Sequence, residues 1–427
     1  MVFLRFPFKL QVFLLGLNLV EFSQLHSVMS LLSRNVKTIG THSGVFHCDE
    51  VLGCAMLKLL YPDAEIIRTR DQKELDKLDL VLDVGGEYNP EKLRFDHHQR
   101  TFNETFGSVT KQDKFDKVKL SSAGLIYCHY GIDILKKLSP IKEEYFLGKL
   151  FDKVYESLIQ EVDGIDNGIP MFEGEPLYHI TSHLGARVSR FNSKWNDQIA
   201  VDEMEGFKKA MAITLEEFLD RIDYYATAWW PARVLVLDAI KDRFNVHESG
   251  KVIELKKPCP WKTHFFELEK EMKLGDQIRF VIFPSDDSGS TWRVQAVSVT
   301  EKSYVLRTPL HQSWMGLRNE ELATRSGVPD AIFAHANGFI GGAKTRDGAL
   351  QMAINTMELT EKDEKERKQK FQMLETKIQL FNFKSNKILK GKKTKTMRPI
   401  LDSLTETLFT QVGTFLNNRS IITLMSQ

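Results

Sequence analysis

Four short runs of histidine and acid stand in the first half of the chain, each beside an apolar stretch. Thr41–Glu50 holds His42, His47 and Asp49; Val81–Gly86 holds Asp83; Asp96, His97 and His98 are consecutive; Glu161–Gly168 holds Asp163 and Asp166. Imidazole and carboxylate are deprotonated near neutral pH, as donors to divalent metals must be. Gathered at one place, the four runs form a binuclear centre. His42, His47 and Asp83 would hold one ion, and Asp49, Asp83, His97 and Asp163 the other, with Asp83 bridging. Three carboxylates against two dications leave a surplus of one positive charge, which suits a phosphate diester. The histidines favour Mn²⁺ over a pure Mg²⁺ site, with Co²⁺ and Zn²⁺ also compatible. Two ions roughly 3.5–4 Å apart can share one activated water, the usual machinery for attacking phosphate esters.

Each residue also has a plainer reading. His42 and His47 alone would pass for satisfied loop histidines, and an isolated Asp-His-His is weak because short motifs recur by chance. Order and spacing across all four runs decide for the ligand reading. Asp96 and His98 are the catalytic candidates: Asp96 to orient a ligand by hydrogen bonding, His98 to contact substrate phosphate or assist the leaving oxygen. Asp163 is preferred as the fourth-run ligand, with Asp166 as its rival or as a supporting group. Cys48 lies between two candidate ligands but reads as a core residue, and His129 reads as packed in an apolar helix.

With 427 residues the chain is too long for one ordinary core, and two domains are expected. The net charge of +1 provides no global field for a polyanion, so any such surface must be local. Four cysteines at 48, 54, 128 and 259 form no metal or disulfide pattern, which suits a reducing compartment. Residues 1–35 read as a targeting or disordered segment. Leu10–Val20 is apolar after Arg5 and Lys9 and too short to span a membrane; alone it reads as a secretory h-region, it also suits a mitochondrial presequence, and the cysteine usage weighs against secretion. Met29 would start a shorter chain lacking it, so dual location in mitochondrion and nucleus is expected, with the cytoplasm also open. No stable membrane insertion is expected.

The elements that must position the clusters alternate. Val36–Thr41, Ala64–Thr69 and Leu78–Val84 read as strands, and Glu50–Leu60, Ser121–Leu138 and Lys142–Val162 as helices. This order implies an α/β fold with a parallel sheet and helices on both faces over residues 36–202. Ligands then bind beyond the carboxyl ends of strands, where His42 and Asp83 fall. Residues 203–232 read as a linking helix. Residues 233–360 read as a second, smaller α/β domain with strands at Arg233–Asp238, Gln277–Pro284, Trp292–Ser298 and Ala331–Ala334 and a helix at Thr345–Met357. A turn at 286–289 and a charged, then basic, tail over 361–427 complete the chain. Arg187, Arg190, Asn192 and Lys194 with Trp195 form a basic-aromatic segment suited to a nucleic-acid backbone and bases. His335, Gly338, Gly341, Gly342 and Lys344 mark a Gly-rich loop whose amides could approach an anion. The basic run Lys384–Arg398 reads as an import signal or a solvated tail.

The order His42…His47-x-Asp49, Asp83, Asp96-His97-His98, Asp163 resembles the DHH phosphoesterase superfamily, which includes RecJ-type exonucleases. The resemblance is closer to its melanocyte-proliferating-gene branch, through Gly40–Glu50, Phe95–Arg100, Asp163–Gly168, Ser189–Asn192 and His335–Gly342. It runs from about Lys37 to about Leu359. It implies a DHH domain followed by a substrate-binding domain that grips the terminal nucleotide, and 3′-to-5′ exonuclease action on single-stranded RNA in nucleus and mitochondria. Two positions depart from the superfamily pattern. His47 stands where most members have Asp, and Ala343 stands where many end the Gly-rich loop with His, leaving Lys344 or Arg346 to compensate. Two other functions stay open at this point: hydrolysis of a small phosphate ester such as pyrophosphate, a dinucleotide or a bisphosphate, and RNA binding by a scaffold with a vestigial site.

Overall fold

In the computed structural model the described residues are 34–197, 202–286 and 288–390, the last ten for their backbone alone. The segment through residue 33, read above as targeting or disordered, and the basic run beyond residue 390 lie outside them. The chain divides into two compact units between Pro231 and Ala232.

The first unit is built on a five-stranded sheet in the order β2-β1-β3-β5-β4, comprising β1 Thr38–Thr41, β2 Glu65–Arg68, β3 Leu80–Leu82, β4 Tyr88–Asn89 and β5 Arg94–Phe95. The first four strands in that order are parallel, and β4 closes the edge antiparallel to β5. The strands are apolar on both sides because both faces are covered. Ile39, Leu80, Leu82 and Phe95 face the large core, into which the helices Cys48–Leu60 and Ser122–Leu138 pack. Leu75, Leu78 and Val81 form a small core on the opposite face. Gly40 lets this core pack closely, because a Cβ would fall 2.5 Å from Leu78 Cδ1 and force that side chain to shift.

The span read as one helix over Lys142–Val162 is Glu144–Val154, a wide π turn at Tyr155–Ile159, then Gln160–Asp166. The helix Glu203–Asp223 contributes Phe207, Ala210, Phe218 and Ile222 to the first core, so it is a packed element of this unit.

The second unit holds another five-stranded sheet, in the order β6-β7-β8-β10-β9: β6 Val252–Glu254, β7 Phe280–Pro284, β8 Trp292–Ala296, β9 Ala331–Ala334 and β10 Ile340–Ala343. Only β6 and β7 run parallel. One face packs on the helix that begins at Arg346 through Met352 and Ala353, the other on Trp261–Glu271 through Phe265 and Leu268. The first helix runs on to Lys390, through the charged stretch read as tail.

Arg233–Asp238, expected as a strand, lies in the helix Trp230–Lys241. Its buried residues, Ala232, Val236, Ala239 and Ile240, are spaced for a helix, and Val234 is exposed. A short aliphatic run does not distinguish the two periods by itself.

Candidate metal centre

His42, Asp83 and Asp96 each stand one residue past a strand, β1, β3 and β5 respectively, and these three strands are neighbours. Their side chains therefore share the carboxyl rim of the sheet, where open α/β sheets bind ligands. Asp83 makes the turn with φ of 60°, a left-handed conformation followed by Gly85 and Gly86, also at positive φ. A non-glycine residue there stores about 1–3 kcal/mol of strain and marks functional positions. His47 precedes the helix Cys48–Leu60, and Asp49 and Glu50 fall in its first turn, the end that favours anions.

The histidines and acids converge. His42 Nε2 lies 2.9 Å from Glu50 Oε1 and 3.3 Å from Asp83 Oδ2. His97 Nε2 lies 3.3 Å from Asp83 Oδ1, 3.3 Å from Asp166 Oδ2 and 3.8 Å from Asp49 Oδ2. Three overlapping sets place one donor atom of each member within 4.8 Å of the others: His42, His47, Glu50 and Asp83; Asp83, His97 and His98; His47, Asp49 and Asp166. His98 is held by Nδ1, 2.7 Å from Asp96 Oδ1, while its side chain is 62% exposed. Asp96 also accepts from the Gly86 amide at 2.5 Å, which fixes the turn after Asp83.

Burial dominates the electrostatics. It raises Asp49 well above the usual carboxylate range, and the charges of Asp83, Asp166 and Glu50 add to the effect. Burial likewise raises Asp166. Burial would also raise Asp83, but His42 and His97 pull it well below the ordinary value. Burial lowers His42, yet Asp83 and Glu50 outweigh it and carry its pKa up to about 10. The hydrogen bond to Asp96 raises His98.

A pair of divalent cations fits this donor set. Asp49 Oδ1 and His97 Nδ1 are buried without a hydrogen-bond partner, and His97 Nε2, also buried, makes no aligned hydrogen bond though carboxylates surround it, a costly state in a low-dielectric interior. Four carboxylates crowd the cluster, those of Asp49, Glu50, Asp83 and Asp166. Their formal charge equals that of two dications, which removes the surplus expected from sequence.

The fourth run is arranged differently from expectation. Asp163 is fully buried, and its Oδ1 accepts from Ser121 N at 2.9 Å, Ser121 Oγ at 2.7 Å and Gly124 N at 3.1 Å. Its Oδ2 accepts from the Tyr155 hydroxyl at 3.0 Å. Asp163 thus caps the N-terminus of Ser122–Leu138 and has no member of the cluster beside it. A Cβ on Gly124 would fall 2.4 Å from its oxygens, so that position admits only glycine. Burial carries Asp163 up to about 7 despite these donors. Asp166, three residues on, faces His97 instead. The same helix start turns Ser122 toward the cluster, with its amide 3.3 Å from Asp49 and its hydroxyl 3.1 Å from Asp83.

The substrate-binding candidates scatter. Asn192 clamps backbone: its Oδ1 accepts from Phe46 N at 2.9 Å and its Nδ2 donates to Phe46 O at 2.8 Å, which fixes the loop beside His47 and commits both ends of the amide. Arg187 lies 3.6 Å from Glu217, and Arg190 reaches Thr181 O at 3.5 Å. Arg190, Asn192 and Lys194 line a cavity of about 230 Å³, and Trp195 is 97% exposed.

In the second unit the expected Gly-rich loop is a tight turn and then a central strand. Gly341 and Gly342 lie in β10, paired with β8 on one side and β9 on the other. A Cβ at Gly341 would meet Met352 Cε at 2.8 Å and Phe333 O at 3.0 Å, so close packing accounts for this glycine. Gly338 supplies a φ of 67° to the turn. His335 accepts from the Asn337 amide at 3.1 Å within that turn. The Lys344 side chain is exposed, Ala343 is core, and Arg346 is taken by Glu254 at 2.6 Å.

Two residues at the rim escaped the sequence reading. Glu50 is buried between His42 and the His47 amide, which it accepts at 2.9 Å. Its signal was its place three residues after His47 at a helix start, the spacing of a capping box. Arg70 donates from Nε to Ser43 O at 3.1 Å and sets Nη2 3.0 Å from His42 Nδ1.

A family profile described as "Uncharacterised protein family (UPF0160)", MYG1 exonuclease, matches residues 38–357. The MYG1 exonuclease of Homo sapiens is 50% identical over 326 residues, spanning 75% of this chain and 85% of that protein. The Bos taurus MYG1 exonuclease is 50% identical over 324 residues, spanning 75% and 84%. The MYG1 protein of Dictyostelium discoideum is 48% identical over 326 residues, spanning 75% and 96%. Among solved structures, RecJ in complex with Mn²⁺ from Thermus thermophilus aligns at 12% identity and a TM-score of 0.22, covering 80% of this chain and 56% of that one. The chain belongs to the MYG1 family.

Proposed function

We propose that this MYG1-family chain is a metal-dependent nuclease, and within that class a 3′-to-5′ exonuclease on single-stranded RNA that works with two divalent cations, Mn²⁺ foremost. The observation that carries the metal reading is the burial of Asp49 Oδ1 and the His97 ring without a hydrogen bond, amid three further carboxylates. Relatives at half identity that bear the name exonuclease support the nuclease reading. RNA and polarity rest on the resemblance of the motifs. Location in mitochondrion and nucleus, with Met29 as the alternative start, is part of the same proposal.

His42, His47 and Asp83 would hold one cation, and Asp49, Asp83, His97 and Asp166 the other, Asp166 standing in for Asp163. Bound there, the cations would supply Lewis acidity and lower the pKa of an attacking water. Glu50 accepts the His47 amide and so fixes that backbone, and its carboxylate beside His42 Nε2 is a further donor that could serve the same cation. His98, anchored through Nδ1 on Asp96, keeps Nε2 for a phosphate oxygen or for giving a proton to the leaving oxygen. Ser122 steadies Asp49 and Asp83 from the helix start.

The test is an assay of the full chain on end-labelled RNA and DNA oligonucleotides, beside pyrophosphate, across Mn²⁺, Mg²⁺, Co²⁺ and Zn²⁺. Stepwise shortening of RNA from its 3′ end with Mn²⁺ is expected. Cleavage of pyrophosphate alone would replace the nuclease reading with a small-substrate one. Binding of RNA without hydrolysis under every metal would leave a scaffold.

A further inference from the structure

We infer that Arg70 is a phosphate-binding residue of the cluster, gripping a nonbridging oxygen of the substrate phosphate. The inference rests on the cluster holding cations, as proposed above. Topology places Arg70 at the rim. β2 lies beside β1 with Arg68 level with Thr41, so Thr69 is level with His42 and Arg70, two residues past β2, stands one residue beyond, by Ser43. The same rim carries His42, Asp83 and Asp96, each one residue past its strand, so a guanidinium stands beside a row of metal-binding types.

Its commitments within the protein are slight. Arg70 is exposed, and among the described residues no carboxylate lies within ion-pair distance of it. Two other arginines of this unit differ: Arg68 lies 3.4 Å from Glu203, and Arg187 lies 3.6 Å from Glu217. Arg70 Nε is anchored on Ser43 O at 3.1 Å, which fixes the plane of the guanidinium.

Its Nη2 meets His42 Nδ1 at 3.0 Å, and that same nitrogen lies 3.2 Å from Ser43 O. The two contacts exclude each other, because a guanidinium only donates and a carbonyl only accepts. With Nε2 of His42 given to a cation, the neutral ring keeps its one proton on Nδ1 and donates it to Ser43 O. Ser43 O has two lone pairs and keeps Arg70 Nε as well. Nη2 is then left without an acceptor, anchored at the rim and pre-oriented. A phosphate oxygen is the acceptor whose charge and geometry match a guanidinium.

The probe is inorganic phosphate, titrated by calorimetry into the Mn²⁺-loaded full chain, with Mn²⁺ affinity measured separately by electron paramagnetic resonance. Arg70→Met is expected to weaken phosphate about tenfold or more while Mn²⁺ affinity holds. Arg70→Lys should recover part of the loss, since it keeps the charge but not the fork. Phosphate affinity unchanged in Arg70→Met overturns the inference. So does a fall in Mn²⁺ affinity, which would make Arg70 a support for His42. If wild type takes up no Mn²⁺, the cluster reading fails first and visibly, before any variant is compared.

Discussion

At the carboxyl rim of the first sheet, buried polar atoms stand without partners. In the β9–β10 hairpin of the second sheet, the polar groups are answered locally: His335 by its own turn, β10 by strands on both sides. Both regions are rich in the residue types that bind anions or metals. The difference lies in what is left unpaired. Unmet donors and acceptors in a dry interior cost folding free energy and persist where something else satisfies them. Glycines that fill a packing need, such as Gly341 under Met352, carry no such signature.

The largest expected effect that would sharpen this contrast is at the rim. His97→Ala should lower hydrolysis about a thousandfold or more with circular dichroism unchanged; hydrolysis at the wild-type rate would place the chemistry elsewhere.

Next comes the pair of aspartates three residues apart. Asp163→Ala strands the donors of Ser121, Gly124 and Tyr155 and should cost about 3 kcal/mol in urea unfolding. Asp166→Asn should leave stability in urea nearly unchanged, or raise it by removing a crowded charge, while weakening Mn²⁺ binding. The reverse pattern would exchange their roles.

A histidine of the satisfied kind gives a pH test. His129 Nε2 lies 3.0 Å from the Tyr88 hydroxyl, and burial lowers its pKa to about 4. The folded chain therefore binds this proton less readily than the unfolded chain, whose value is near 6.5. Its stabilising contribution is complete above pH 6.5 and is lost as pH falls toward 4. His129→Leu should flatten the stability profile across that window, by at most about 3 kcal/mol. An equal slope in wild type and variant would contradict the assignment.

The smallest effect falls in the second unit. Gly341→Ala should cost about 1–3 kcal/mol through overpacking. A neutral outcome would mean that β10 has room, and would reopen the loop to a ligand.

The parallel sheet and its rim were legible because apolar strands ending in His42 and Asp83 follow a simple rule of α/β folds. What failed were choices that depend on neighbours far away in the chain. Asp163 and Asp166 are one turn apart and chemically identical, and only the approach of Ser121 and Tyr155 tells them apart. Asn192 looked like a nucleic-acid contact because nothing local shows that Phe46 takes both ends of its amide. Glu50 was hidden in plain sight, since a glutamate in the first turn of a helix has a sufficient local reason to be there. The run Arg233–Asp238 misled because aliphatic residues over so short a stretch suit either period.

Metal content tests the central claim most directly. The full chain, stripped of metal and dialysed to equilibrium against Mn²⁺, should take up two ions per molecule, and Asp83→Asn should take up fewer. Wild-type protein that takes up none, folded and at neutral pH, would contradict the convergence of imidazoles and carboxylates as a metal centre.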